Sequence, residues 1–181
     1  MQTKEKYINA SPKIIPHLLK DDGIFPNSML PLLVYKNVLV LPADHQPQII
    51  EKIFEANNWK NTWRNGIYNY HHYHSTTHEV LGVYSGRCRV LIGGEDGIQF
   101  IIEKGDVIII PAGVAHKNIG GNEDFKCAGA YPDGKDFDMN YGKSGERPQT
   151  DHNIGRVPLP ATDPVYGKQG PLFMQWIKQP H

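Results

Sequence analysis

Apolar residues along the chain fall into short runs separated by polar turns, and only one stretch has a helical period. Residues 32–35 and 38–41 are β-favouring runs on either side of Lys36 and Asn37, which predicts two strands or a hairpin early in the fold. Over 47–58, Ile49, Ile50, Ile53 and Phe54 share one face, with Pro47 suited to the first turn and Asp44 to a cap. That segment is expected to be a helix covering the outside of a sheet. From Gly66 to about Tyr131, turn signals at Ser85-Gly86, 93–97, Lys104-Gly105 and Gly120-Gly121-Asn122 divide successive strands. Their spacing of roughly 8–16 residues, without βαβ alternation, predicts an antiparallel sandwich or barrel. No helix pattern follows the glycine-rich turn at 93–97, so it reads as a hairpin turn rather than a phosphate cradle.

Past Tyr131 the pattern changes. Seven of the 14 prolines and six of the 18 glycines lie in the last 50 residues, with hardly any periodicity. Tyr141, Val157, Leu159, Val165, Tyr166, Leu172, Phe173 and Trp176 are nevertheless apolar, so this segment is expected to dock on the barrel as irregular coil. If the ligand sits in the barrel mouth, the segment is placed to act as a lid. The expectation is a single all-β domain over 1–181. It would have N-terminal strands and one helix at about 18–60, a barrel core at about 64–131 and a docked irregular segment at about 132–181.

Composition mainly excludes. A chain of 181 residues can bury one adequate core without a disulfide or structural metal. Cys88 and Cys127 lack CxxC spacing and are expected to be reduced core thiols. Nineteen basic against 19 acidic side chains give no excess charge for holding nucleic acid. The longest apolar stretch, 29–41, is broken by Pro31, Lys36 and Asn37 and cannot cross a bilayer. The opening MQTKEKYINASPK has neither the apolar block of a secretory signal nor an Arg-rich amphipathic pattern, so a cytoplasmic location is expected.

The histidines are the uneven feature. Four of the nine, His71, His72, His74 and His78, fall within eight residues. In an extended chain His72 and His74 point to one face while His71 and Tyr73 point to the other. Glu79 follows a bend-forming Ser75-Thr76-Thr77 segment, and His116 follows the run 107–110 and the turn Pro111-Ala112-Gly113. Three imidazoles and one carboxylate suit Fe, Mn, Co, Ni, Cu or Zn rather than Ca or Mg. Four ligands of an octahedral set would leave two positions open for water, substrate or dioxygen.

The segment Gly66, five residues, His72, Tyr73, His74, four residues, Glu79, six residues, Gly86 resembles the first cupin motif at every fixed position. Gly105, five residues, Pro111, Ala112, Gly113, two residues, His116 resembles the second. From background frequencies the first pattern is expected by chance at roughly one start in 10⁶ and the second at roughly one in 10⁴. The second motif usually ends in Asn four residues after its His, where this chain has Gly120 and places Asn118 earlier. LLKDDGIFPNSMLPLLVY, NTWRNGIYNYHHYHSTTHEVLGVYSG, PAGVAHKN and AGAYPDGKDFDMNYGKSGERP together resemble the YjlB-like single-domain bacterial cupins, from about Leu18 to Gly170. The resemblance implies a cupin double-stranded β-helix, a jelly-roll-like barrel, with a metal carried by His72, His74, Glu79 and His116. It implies no particular reaction.

Other residues carry weaker expectations. Arg64 and Tyr70 share the parity of His72 and His74 if the strand runs unbroken, so they are candidates for substrate contact; Arg64 would pair with a carboxylate. Tyr68 has the same parity, and both it and Tyr70 read as core packing ahead of substrate contact. His71 is expected to face away, and His78 to donate a hydrogen bond that orients Glu79. The function expected is a metal-dependent enzyme, of oxygenase or isomerase type, acting on a small polar or anionic metabolite. The alternative is a non-catalytic module that binds a small ligand or senses a metal. Early strand edges suggest a homodimer.

Overall fold

The computed structural model describes residues 5–121 and 123–177, so the expected turn at Gly120-Gly121-Asn122 falls partly outside it at Asn122. After a 3-10 turn at Glu5–Tyr7, the chain forms β1 (Lys13–His17), β2 (Leu32–Lys36), α1 (Gln46–Ala56) and β3 (Trp59–Asn65). It continues through β4 (Glu79–Ser85), β5 (Arg87–Ile92), β6 (Ile98–Glu103), β7 (Val107–Ile110), β8 (His116–Gly121) and β9 (Lys126–Pro132), and then α2 (Gln149–Arg156) and α3 (Leu172–Gln175). Among the described residues, nine antiparallel strands make a six-stranded sheet in the order β1-β2-β7-β4-β9-β3 and a three-stranded sheet in the order β6-β5-β8. This is the antiparallel sandwich that the strand pattern predicts, in the jelly-roll arrangement that the cupin resemblance implies.

Period-two alternation divides the apolar residues between two cores. Leu32, Val34, Leu81, Val83, Ile108 and Ile110 face the smaller sheet and meet Cys88, Val90, Ile92 and Ile102. Their chain neighbours Leu33, Tyr35, Val80, Val107 and Ile109 face the other way, onto α1 and the C-terminal segment. Both faces of the larger sheet are therefore covered, which explains why β7 is a continuous buried Val-Ile-Ile-Ile run.

Helix α1 buries Ile50, Ile53 and Phe54, as its periodicity predicts. Its cap differs from expectation: His45, in a left-handed conformation, precedes the first turn, and no side chain caps it. Three buried side chains at roughly 1.5–3 kcal/mol each outweigh a missing cap worth about 1 kcal/mol. Gly82 lets the helix sit close on β4, since a Cβ there would lie 2.7 Å from the Ile50 side chain.

Three further expectations are corrected. Residues 38–41 do not form a hairpin with β2. Leu39 bonds to Gly105 and bridges Ile8, and β2 pairs instead with the earlier β1. Pro16 masks β1 in the sequence; it is tolerated because β1 is an edge strand. The strand expected through 64–74 is broken, because β3 ends at Asn65 and only isolated bridges follow at His72 and Tyr73. The C-terminal segment docks as expected but is not all coil. Helix α2, QTDHNIGR, buries only Thr150, so no apolar stripe announces it. Val165, Leu172 and Trp176 pack into the core outside the larger sheet.

Candidate metal centre

Strand starts place the chemistry. Glu79 opens β4 and His116 opens β8, and the pairs Glu79 with Ile110 and Ile92 with His116 bring both to one end of the sandwich, between the sheets. His72 reaches them through a backbone bridge: its N–H donates to His116 O at 3.3 Å and the His116 N–H donates back at 3.0 Å. On the opposite edge Tyr73 exchanges two hydrogen bonds with Asn140, and the Gly113 N–H donates to His74 O at 2.8 Å. The segment is thus held extended, and His72 and His74 share a face. His71 and Tyr73 point away, where both rings meet Phe25.

His72, His74 and His116 are buried, and one nitrogen of each lies within 4.8 Å of the others. Each Nδ1 donates to a backbone carbonyl: His72 to Tyr70 at 3.1 Å, His74 to Asp138 at 2.6 Å and His116 to Val114 at 3.0 Å. A carbonyl can only accept, so the proton is fixed on Nδ1 and Nε2 is left to the cavity. Glu79 Oε2 lies 3.3 Å from His74 Nε2 and 3.5 Å from His116 Nε2. Ligand bonds of about 2.0–2.2 Å around one ion put neighbouring donor atoms about 3–3.5 Å apart, so these separations fit a shared transition ion. The donor set fits as well, since fixed tautomers are what metal-binding imidazoles require.

Electrostatics agree with that arrangement. Burial, reinforced by the neighbouring His116, lowers the His72 pKa to about 3, so this imidazole is neutral. Burial opposes charge on His74, but the Glu79 carboxylate outweighs it and raises the pKa. Burial would likewise raise Glu79, yet His74 and His116 hold it well below the usual carboxylate range. The carboxylate and the imidazole are thus coupled: Glu79 raises His74, and His74 in turn lowers Glu79.

Several contributors were not visible in the sequence. The Tyr131 hydroxyl donates to Glu79 Oε1 at 3.1 Å, and the Trp63 indole N–H donates to that hydroxyl at 2.8 Å. Asp138 accepts from the Ser75 and Thr76 backbone N–H groups at 2.7 and 3.2 Å, and its carboxylate also bonds the Ser75 hydroxyl. The bend between His74 and Glu79 is therefore clamped from the C-terminal segment. The only local signal for Tyr131 is that it shares parity with Cys127 along β9.

His78 does not orient Glu79. Its Nδ1 accepts from the Ala112 N–H at 2.9 Å and its Nε2–H donates to Pro158 O at 3.2 Å, so it ties the turn before His116 to the C-terminal segment. Burial keeps it neutral, with a pKa lowered to about 4. Arg64 borders the cavity, but its guanidinium is held by Glu51 at 2.7 and 2.8 Å. Tyr70 is half exposed and lies outside the set of residues lining the cavity; its ring is 5.9 Å from that of His72 and stacks on the lining Tyr68, which is also half exposed rather than core. Asn118 ties down the strand end by accepting from the Gly120 N–H at 2.8 Å.

In front of the imidazoles lies a cavity of about 290 Å³. Phe137 and Met139 form part of its wall, so the first stretch after β9 closes one side of the opening. Val165, Leu172 and Trp176 lie instead in the core outside the larger sheet, so this later part of the segment does not act as a lid.

The family model described as the cupin domain matches residues 64–127. The protein YjlB of Bacillus subtilis (strain 168) is 40% identical over 163 residues, covering 90% of this chain and 96% of that one. Among solved structures, the acireductone dioxygenase of Bacillus anthracis with a cadmium ion in its active centre is 16% identical, covering 71% of this chain and 83% of that one, at a TM-score of 0.40. A DUF861 family protein from Thermotoga maritima is 23% identical, covering 50% of this chain and 92% of that one, at a TM-score of 0.32. Superpositions this loose have no bearing on activity.

Proposed function

The chain belongs to the YjlB-like cupins, and on that premise we propose that it is a metal-dependent enzyme acting on a small polar or anionic metabolite. His72, His74, Glu79 and His116 would hold one divalent transition ion: Fe, Mn, Co, Ni, Cu or Zn. The observation that carries the reading is the set of three buried imidazoles whose Nδ1 protons are all committed to backbone carbonyls, leaving three Nε2 atoms to converge. A bound ion supplies Lewis acidity and, if redox-active, electrons for oxygenase chemistry.

The chain's own residues do the rest. Tyr131 holds Glu79 Oε1, so Oε2 is the atom presented to the imidazoles. The cavity walls keep the imidazoles buried, and Tyr70, stacked on the lining Tyr68, would contact substrate from just outside the cavity. Arg64 serves a substrate carboxylate only if it leaves Glu51.

Elemental analysis of protein purified without added metal tests the reading. One ion per chain is expected, lost in His74→Ala and His116→Ala. Substoichiometric metal unchanged by either substitution overturns it. Oxygen uptake with small carboxylates and thiols separates oxygenase from isomerase chemistry. Tight binding of a ligand that is never turned over favours a non-catalytic binding or metal-sensing module. Among the described residues no helix is long and apolar enough to cross a membrane. A cytoplasmic homodimer completes the proposal; β1, at the edge of the larger sheet, offers a strand for pairing, and light scattering tests the dimer.

A further inference from the structure

We infer that the cavity selects a ligand with a planar aromatic ring that presents oxygen donors at one edge, a catechol-like hydroxyarene, rather than an aliphatic carboxylate. This deepens the metal-dependent reading above and rests on it.

The first observation is the wall. Trp63, Tyr68, Tyr131 and Phe137 line the space in front of the imidazoles. Phe137 stacks on Tyr131, with centroids 5.0 Å apart and planes 21° apart, and meets the His74 ring in a T-shaped contact at 5.0 Å. Tyr68 stacks on Tyr70 at 4.9 Å and meets His72 in a T-shaped contact at 5.3 Å. Each ring has one aromatic neighbour stacked on it, and both residues line the cavity while keeping exposed surface, Phe137 at 43% and Tyr68 at 49%. Large aromatic surface left open beside a cluster of buried imidazoles is surface for a ligand to cover, and flat rings pair best with flat rings.

The second observation is charge. Among the described residues lining the cavity, Arg64 is the only Lys or Arg, and Glu51 holds two of its guanidinium nitrogens. Glu79 is engaged with the imidazoles and Tyr131. The remaining polar liners Asn61, Thr62 and Asn65 are neutral. A ligand carboxylate away from the ion would have no counter-charge, and an unpaired charge in such a place is strongly disfavoured. Negative charge is accommodated only where the four ligands converge, so it belongs on the oxygen atoms that face them. The volume, about 290 Å³, is at the small end of the roughly 300–1,000 Å³ usual for ligand sites and suits one ring system.

Calorimetry on protein loaded with Co(II) tests this, using catechol against lactate and ethylene glycol. Catechol is expected to bind tightest. Phe137→Leu and Tyr68→Ala should each weaken catechol roughly 3- to 10-fold, the size of a lost aromatic pair. Cobalt content and lactate affinity should stay unchanged in both variants. Both side chains are half exposed, so matching thermal melts are expected to show that the variants fold. Catechol affinity unchanged in both variants, or lactate binding tighter than catechol, overturns this inference while leaving the metal reading standing. Wild-type protein that retains no cobalt overturns the metal reading itself, and this inference with it.

Discussion

The Tyr131 hydroxyl lies 3.1 Å from Glu79 Oε1, although the two residues are 52 positions apart in the chain. Val80 pairs with Ala130 across β4 and β9, so the flanking Glu79 and Tyr131 arrive at the same end of the sheet. One carboxylate oxygen is held by the phenol, and the other faces His74 and His116.

Tyr131→Phe removes that donor and leaves a buried carboxylate oxygen without its partner. A cost of about 1.5–3 kcal/mol in urea unfolding is expected, because the lost bond is to a charged group. Metal affinity should fall roughly 10- to 100-fold by titration calorimetry. Unchanged affinity would mean that Tyr131 does not position Glu79.

Gly129→Ala reaches the same carboxylate from further away. A Cβ at Gly129 would overlap the Trp63 indole, which lies opposite it in the β3–β9 register and donates to Tyr131. Overpacking of this kind costs about 1–3 kcal/mol. A parallel loss of metal affinity is expected by calorimetry, since displacing Trp63 frees Tyr131.

Arg147 joins the N-terminal loop to α2, with Asp21 at 2.5 and 2.8 Å and Asp151 at 2.7 and 2.9 Å. The Arg147 hydrogen bond is the main reason the Asp21 pKa lies below its usual value. A depressed folded-state pKa contributes stability that is present above the unfolded value of about 3.9 and is lost as pH falls through the lower folded value. The stability gap between wild type and Asp21→Asn should therefore be present at pH 7 and close below about pH 4. Because both side chains are partly exposed and solvent screens the pair, the gap should stay within about 1 kcal/mol. Chemical denaturation across pH 3–7 measures it.

Cys88 and Cys127 are free thiols buried in the core between the sheets. Burial raises both pKa values, that of Cys88 to about 11, so little thiolate is present at neutral pH. Iodoacetamide at pH 7.5 should leave both unmodified in native protein and label both in denaturant, as read by mass spectrometry. Rapid native labelling would contradict their burial.

Much of the fold was legible because strands write themselves locally. Alternation assigns Leu32 and Leu33, or Ile108 and Ile109, to opposite cores without knowledge of any partner strand. The apolar stripe of α1 is equally local. What stayed hidden had no local mark: β1 is short and carries Pro16, and α2 is polar with one buried residue. The site divides in the same way. His72 and His74 share a face because successive strand residues alternate, and the cupin motifs add Glu79 and His116.

The sequence by itself determined the antiparallel architecture, the single apolar helix and the residue types that gather at one end of the barrel. Tertiary structure alone decided that Arg64 turns to Glu51, that His78 reaches Ala112 and Pro158 instead of Glu79, and that Asp138 and Tyr131 hold the bend and the carboxylate. The reason is physical. Alternation fixes which face a side chain occupies, but which side chains meet across 13 to 80 positions depends on strand order and register, and those are settled by packing two cores at once.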